Sequence, residues 1–225
     1  MAETKEMNSA EVTEVGKQEK NTDLNVMLKE ALILTVITLI SGLLLGFVHE
    51  LTKEPIRAQK ELAVQNACKA VFSNEANVTF QKVDEAPSPV LEADLAKLGV
   101  SIGAVFNALG TNGEPLGKVI EVTSSEGYGG NIVLYVGVTR DGVLNDVSIL
   151  SISETPGLGM RAEEVLVPQL HQKAVTEIVY TKNGATQENE IDAISGATIT
   201  TNAVTTGVNA GLYYFDKMLG GADHE

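Results

Sequence analysis

The longest apolar stretch of the chain runs from Ala31 to Val48, ALILTVITLISGLLLGFV, eighteen residues without a charge. At about 1.5 Å per residue it spans roughly 27 Å, close to the thickness of a hydrocarbon core, so the pattern predicts a transmembrane helix within 26–50. Thr35, Thr38 and Ser41 can return their hydroxyls to the helix backbone. Gly42 and Gly46 form a G-x-x-x-G face on which another helix can pack closely, or they are incidental in a lipid-facing helix. Residues 1–25 are polar and poor in aromatics, which predicts a disordered tail. That charged stretch, and the charged HELTKEPIRAQKELA that follows the apolar run, argue for an uncleaved anchor rather than a signal peptide. Lys17, Lys20 and Lys29 on one side balance Lys53, Arg57 and Lys60 on the other, so flanking charge gives no orientation.

After the anchor, Glu50–Phe72 predicts a helix with Pro55 in its first turns. Ser73–Pro89 predicts loop or a short strand. From Gly117 onward the pattern becomes that of strands: KVIEVTSS, NIVLYVGVTR and VLNDVSILSI are rich in Val and Ile with partial alternation. Arg140-Asp141-Gly142 supplies a hairpin turn between the second and third. Ala162–Gln172 reads as a helix limited by Pro168, and VTEIVYTK with Asn183-Gly184 as a further strand and turn. In Asn202–Leu219, the positions Val204, Val208, Leu212, Phe215 and Leu219 predict an amphipathic helix packed on the sheet. The expected fold class is α+β: one N-terminal transmembrane helix, then a domain with a mostly antiparallel sheet and packed helices. Its expected parts are a tail (1–25), an anchor (26–50), a helical and loop connector beginning the domain (51–98), and the main domain (99–220).

Composition removes several functions. The formal charge is -14 and the isoelectric point about 4.6, which argues against nucleic acid and against an anionic lipid surface. Cys68 is the only cysteine, so the chain forms no internal disulfide and offers no iron–sulfur or structural zinc site. Its apolar helical neighbours, Leu62, Val64, Ala67 and Val71, favour a buried thiol. His49, His171 and His224 are too scattered for a metal motif. Any redox chemistry here needs a cofactor other than a metal.

Asp192-Ala193-Ile194-Ser195-Gly196-Ala197-Thr198 reads as a short strand, a glycine turn and the start of the last helix. Thr198, Thr200, Thr201 and Asn202 lie where cap residues belong. The first N–H groups of that helix favour an anion such as phosphate without any Lys or Arg. Gly196 and Ala197 leave room for a bulky ligand. Taken alone, these residues fit an ordinary capped helix equally well. Ser153-Glu154-Thr155-Pro156-Gly157-Leu158-Gly159 is a strand end breaking at Pro156 and two glycines. It is either a plain turn or a loop presenting N–H groups and Leu158 to a flat ring, and Met160 follows it. Glu126-Gly127-Tyr128-Gly129-Gly130 is a third loop, with Tyr128 placed to stack on a ring or simply exposed.

Asp-x-x-Ser-Gly-Ala-Thr resembles the flavinylation motif of FMN-binding domains in the Rnf and Na⁺-translocating NADH:quinone reductase families. Glu154–Gly159 is similar to the Glu-Thr-Pro-Gly-Leu-Gly loop that borders the flavin there. The resemblance implies one covalent FMN per chain, moved from FAD by a flavin transferase onto the hydroxyl of Thr198. It implies a cofactor site of Asp192, Ser195, Gly196, Ala197 and Thr198 with Glu154, Thr155, Gly157, Leu158, Gly159 and Tyr128. No catalytic or metal residue is implied. A second Gly-Ala-Thr, at Gly184-Ala185-Thr186, has Asn183 in place of Ser and Tyr180 in place of Asp, so Thr186 is rejected as the acceptor.

From the anchor through LTKEPI to the last helix, the layout resembles the RnfG family of Rnf complexes; the quinone-reductase relatives have longer chains. This implies an electron carrier in a membrane complex that moves electrons between ferredoxin and NAD⁺, coupled to Na⁺ or H⁺ translocation. Its partners would be the other membrane and redox subunits. Residues 99–220 would form the FMN-binding domain outside the cell membrane (the inner membrane where there are two), with the tail in the cytoplasm. The alternatives are a quinone-reductase subunit, a flavin-free membrane scaffold, or a module binding an external ligand.

Overall fold

The computed structural model describes residues 3–75, 77–84 and 87–219, with side chains described from Val26 to Met218. Contacts divide the chain into Met1–Gln59 and Lys60–Glu225. The first helix, α1, runs Glu3–Ala70 and contains Pro55. One expectation changes here: Pro55 lies inside a continuous helix rather than near the start of a new one. Proline lacks the N–H that would bond the carbonyl four residues back, a loss that this helix absorbs without ending.

Within Met1–Gln59, the apolar run is exposed along its length, with Leu43 67% and Leu45 73% exposed. The helix from Val26 carries an 18-residue window of mean hydropathy 2.6, long and apolar enough to cross a membrane. Thr35 and Thr38 donate to the carbonyls of Ala31 (2.8 Å) and Thr35 (2.9 Å), which hides both hydroxyls from an apolar surround.

Lys60–Glu225 is built on five antiparallel strands in sequential order: β1 Thr79–Val83, β2 Val100–Leu109, β3 Pro115–Ser124, β4 Ile132–Thr139 and β5 Leu144–Ser151. Successive side chains point to opposite faces, so Val119 and Ile120 enter different cores. One face carries Ile120, Val122, Leu134 and Val136 against helix α4, Thr198–Tyr214. The other carries Ala108, Val119 and Tyr135 against Ala67, Cys68, Val71 and Phe72 at the end of α1. Burial on both faces explains the near-continuous Val and Ile runs. Gly207 and Gly211 let α4 sit close to β4, since a Cβ on either would come within 2.9 Å of Leu134 or Val136. Asn145 donates to the Val71 carbonyl at 2.5 Å and ties β5 to the end of α1. Cys68 is buried, as its neighbours predict.

Several boundaries differ from the sequence expectation. Strand β1 lies within Ser73–Pro89, where loop or a short strand was expected, and helix α2, Pro89–Lys97, which the sequence reading did not name, follows it. The Ala162–Gln172 helix is in fact a short α3, Ala162–Val165, between two 3-10 turns at Gly159–Arg161 and Val167–Gln169. Pro168 denies that segment an α-helical hydrogen bond. Strand β6 is only Val179–Thr181 and pairs in parallel with β7, Glu190–Asp192. The last helix begins at Thr198, at the end of the Asp192–Thr198 turn and four residues before the amphipathic pattern read from Asn202, and closes in a π turn at Phe215–Leu219.

Candidate functional site

The start of α4 is set by a short relay of backbone bonds. Ile191 and Ile194 are buried and fix the end of β7 in the core. Ser195-Gly196 then reverses the chain, with Gly196 at φ +77, a conformation that glycine adopts without steric cost. The Ala197 N–H donates to the Ile194 carbonyl at 3.0 Å, and the Thr201 N–H to the Ala197 carbonyl at 3.0 Å. The Thr201 hydroxyl donates to the Ala197 carbonyl at 2.9 Å and accepts from the Ile194 N–H at 3.1 Å. A helix side chain thus holds the strand end and the turn in register.

Ala197 is the N-cap, and no side chain caps the helix. Thr198 is therefore the first helical residue, not a cap as expected, and Thr200 and Thr201 lie further inside. The N–H groups of Thr198, Ile199 and Thr200 precede the first intrahelical bond. They carry the positive end of the helix dipole. Uncapped, they suit an anion.

The loop after β5 forms the opposite wall. Leu158 and Met160 both donate N–H groups to the Thr155 carbonyl, at 3.1 and 3.3 Å, and Gly157 takes φ +76. Glu154 is buried and accepts at both oxygens: Oε1 from the Gly129 N–H at 3.0 Å, Oε2 from the Thr200 hydroxyl at 2.7 Å. One carboxylate thereby joins the Tyr128 loop, the Leu158 loop and the first turn of α4. Between them lies a cleft of about 540 Å³, within the ~300–1,000 Å³ usual for ligand pockets.

Of the residues expected from the sequence, Thr198, Ala197, Gly196 and Glu154 line this cleft, as do Thr155, Leu158, Gly159 and Tyr128. Asp192, Ser195 and Gly157 are not among the lining residues. The Asp192 carboxylate turns instead to the Ala185 N–H at 2.7 Å. Met160 is exposed and also absent from the lining. Ile199 and Thr200 line the cleft without having been expected there; the early helix start places them. Thr186, the rejected acceptor, has its hydroxyl on Glu190 Oε2 at 3.0 Å. Among the described residues no group of His, Cys, Asp and Glu is arranged to hold a metal.

The residues of the cleft suit FMN. Thr198 lines the cleft at an uncapped helix start that suits a phosphate, and Leu158, Ile199 and Tyr128 line it with apolar surface for a flat ring.

Comparisons with known proteins give the family of the chain. The FMN-binding domain family matches residues 127–213, and the RnfG N-terminal region matches residues 20–71. The G subunit of the Na⁺-translocating ferredoxin:NAD⁺ oxidoreductase complex of Acetobacterium woodii is 31% identical, over 90% of this chain and 98% of its own. The G subunit of the proton-translocating ferredoxin:NAD⁺ oxidoreductase complex of Clostridium ljungdahlii is 32% identical, again over 90% and 98%. Among solved structures, the C subunit of the Na⁺-translocating NADH-quinone reductase from Parabacteroides distasonis is 21% identical. The match covers 64% of this chain and 77% of that one, with a TM-score of 0.45.

Proposed function

The chain belongs to the RnfG family, the G subunits of Rnf-type ion-translocating oxidoreductase complexes, and from that premise we propose that it carries electrons through a single FMN esterified to Thr198. The observation that carries this reading is the position of Thr198: its residue lines the cleft at the uncapped first turn of α4. The family is that of a membrane complex subunit and the domain is of the FMN-binding kind. Covalent attachment, the roles of single residues and the side of the membrane are our inference.

Attachment uses the Thr198 oxygen as nucleophile toward the flavin-side phosphorus of FAD, brought by a flavin transferase. The new O–P bond replaces the pyrophosphate bond, AMP departs and the hydroxyl proton is lost. The N–H groups of Ile199 and Thr200 would then hold the phosphate, in the field of the helix dipole. Gly196 and Ala197 give the phosphate access to the backbone. Leu158, Ile199 and Tyr128 supply apolar walls, and Tyr128, 71% exposed, stands on the outer rim. Bound there, FMN supplies the acceptance and release of electrons, chemistry that no side chain of the cleft offers.

Ser195 and Gly157 act on this site indirectly, through the turns that they shape, whereas the Asp192 carboxylate braces the separate turn at Ala185. Residues 26–50 serve as the anchor, with no charged residue between Ala31 and Val48 to form an ion path. The FMN-binding domain lies outside the membrane and the tail inside. The partners are the redox and membrane subunits of a complex that exchanges electrons between ferredoxin and NAD⁺ while translocating Na⁺ or H⁺.

The test is flavin fluorescence in a denaturing gel, on the full chain produced together with a flavin transferase. Wild type keeps its fluorescence and Thr198→Ala loses it. A wild-type chain that binds FMN when native but gives it up on denaturation contradicts the covalent reading.

A further inference from the structure

Glu154 is 7% exposed and satisfies a backbone N–H and a hydroxyl, Gly129 at 3.0 Å and Thr200 at 2.7 Å. Neither donor requires an ionised partner. Both would be served equally by an amide, whose oxygen takes the Gly129 N–H while its NH₂ donates to a rotated Thr200 hydroxyl. An acid is moreover an awkward neighbour for a bound phosphate. The carboxylate is also held in place. A Cβ on Gly159 would stand 2.8 Å from Glu154 Oε2, and one on Gly127 2.9 Å from Oε1, so the packing leaves the group little room to swing away. No Lys or Arg lines the cleft to neutralise it. Arg161, the nearest base in sequence, pairs with Glu164 at 3.5 Å.

We propose that Glu154 is a positioning residue that fixes a negative charge in the cleft wall and thereby lowers the reduction potential of the flavin on Thr198. The proposal rests on the covalent FMN reading above. An electron added beside a fixed, poorly solvated carboxylate meets repulsion that water would otherwise screen. Thr200 has a part in this because its hydroxyl, donated from the first turn of α4, keeps the carboxylate turned toward the cleft. The same bond couples the flavin's attachment point to the charge that tunes it.

The test compares full-length wild type, Glu154→Gln, Glu154→Asp and Thr200→Val, each produced with a flavin transferase. Intact mass reads the adduct and a spectroscopic redox titration reads the midpoint potential of the bound flavin. Glu154→Gln keeps the adduct and raises the potential by at least tenfold in the one-electron equilibrium constant, about 59 mV. Glu154→Asp and Thr200→Val, which retain the charge, stay within about a third of that change. No shift in Glu154→Gln, or an equal shift in Thr200→Val, overturns the assignment. A Glu154→Gln chain that fails to fold overturns it too, because the charge would then serve the fold and not the flavin. A wild type lacking the adduct fails the covalent reading itself, a separate result seen in the mass alone.

Discussion

The Asp192 carboxylate accepts the Ala185 N–H at 2.7 Å, so the first residue of the Asp192–Thr198 segment braces the turn that carries the other Gly-Ala-Thr. The two similar triplets thus have opposite duties. One opens a helix onto the cleft, and the other is tied down by carboxylates from β7.

Asp192→Ala therefore loosens the 183–187 turn and leaves the start of α4 in place. Loss of one hydrogen bond to an exposed charged group costs about 1 kcal/mol or less. Amide hydrogen exchange at Ala185 accelerates while that at Ile194, held by Thr201, does not. Acceleration at both would contradict the separation of the two turns.

Thr201→Val removes the hydroxyl that accepts from Ile194 and donates to Ala197. It leaves a buried N–H without its partner, a loss of about 1–3 kcal/mol. Thr201→Ser keeps both bonds and recovers most of that stability in urea unfolding. Equal losses in the two variants would mean that the methyl packing, not the hydroxyl, secures the turn.

Two glycines of one loop respond differently. Gly159 is buried, and a Cβ there would collide with the Thr200 hydroxyl and stand 2.7 Å from Glu154 Cβ. Gly159→Ala forces that pair apart at a cost of about 1–3 kcal/mol, and flavin loading falls with it. Gly157 has open space around it and φ +76. Asn enters that conformation readily, so Gly157→Asn loads flavin at close to the wild-type level. A reversed order would place the constraint at Gly157 instead.

Glu190 Oε2 accepts the N–H groups of Thr186 and Gln187 at 2.8 and 3.1 Å, and the Thr186 hydroxyl at 3.0 Å. These bonds, the Thr186 N–H first, hold its carboxyl below the usual 4.5. A depressed value stabilises the folded turn above the unfolded value and loses that contribution as pH falls through the folded one. The amide resonances of Thr186 and Gln187 should titrate together with a midpoint below 4.5. A midpoint at or above the usual value would contradict the bonding.

Legibility in the sequence followed the local strength of each signal. Strands β3 to β5 are readable because Val and Ile runs are bounded by Arg140-Asp141-Gly142, where Gly142 takes φ +79 and donates to Thr139 at 3.0 Å. Strand β2 is not. Its pairing shifts between Ile102 and Val105, and such a bulge breaks the two-residue alternation on which a strand reading depends. The cleft was legible through its motifs, yet motif membership and cleft lining are different things. Asp192 and Ser195 share a seven-residue stretch with Thr198, but backbone direction and the Gly196 turn send only Gly196, Ala197 and Thr198 to the cavity. Ile199 and Thr200 were not named because the apolar spacing starts at Val204 and does not say which first-turn side chains face the cavity. Glu154 was readable as part of a loop. Its bonds to Gly129 and Thr200 span 25 and 46 residues and depend on the folded sheet.

The central claim is a phosphoester on one threonine of two similar sites. Cleavage after Lys182 and Lys217 releases a peptide, residues 183–217, that contains both Thr186 and Thr198. Fragment-ion mapping of that peptide, from full chain produced with a flavin transferase, should place one FMN phosphoryl unit on Thr198 and none on Thr186. An adduct on Thr186, or an unmodified peptide from a chain that loads FMN, would contradict the account.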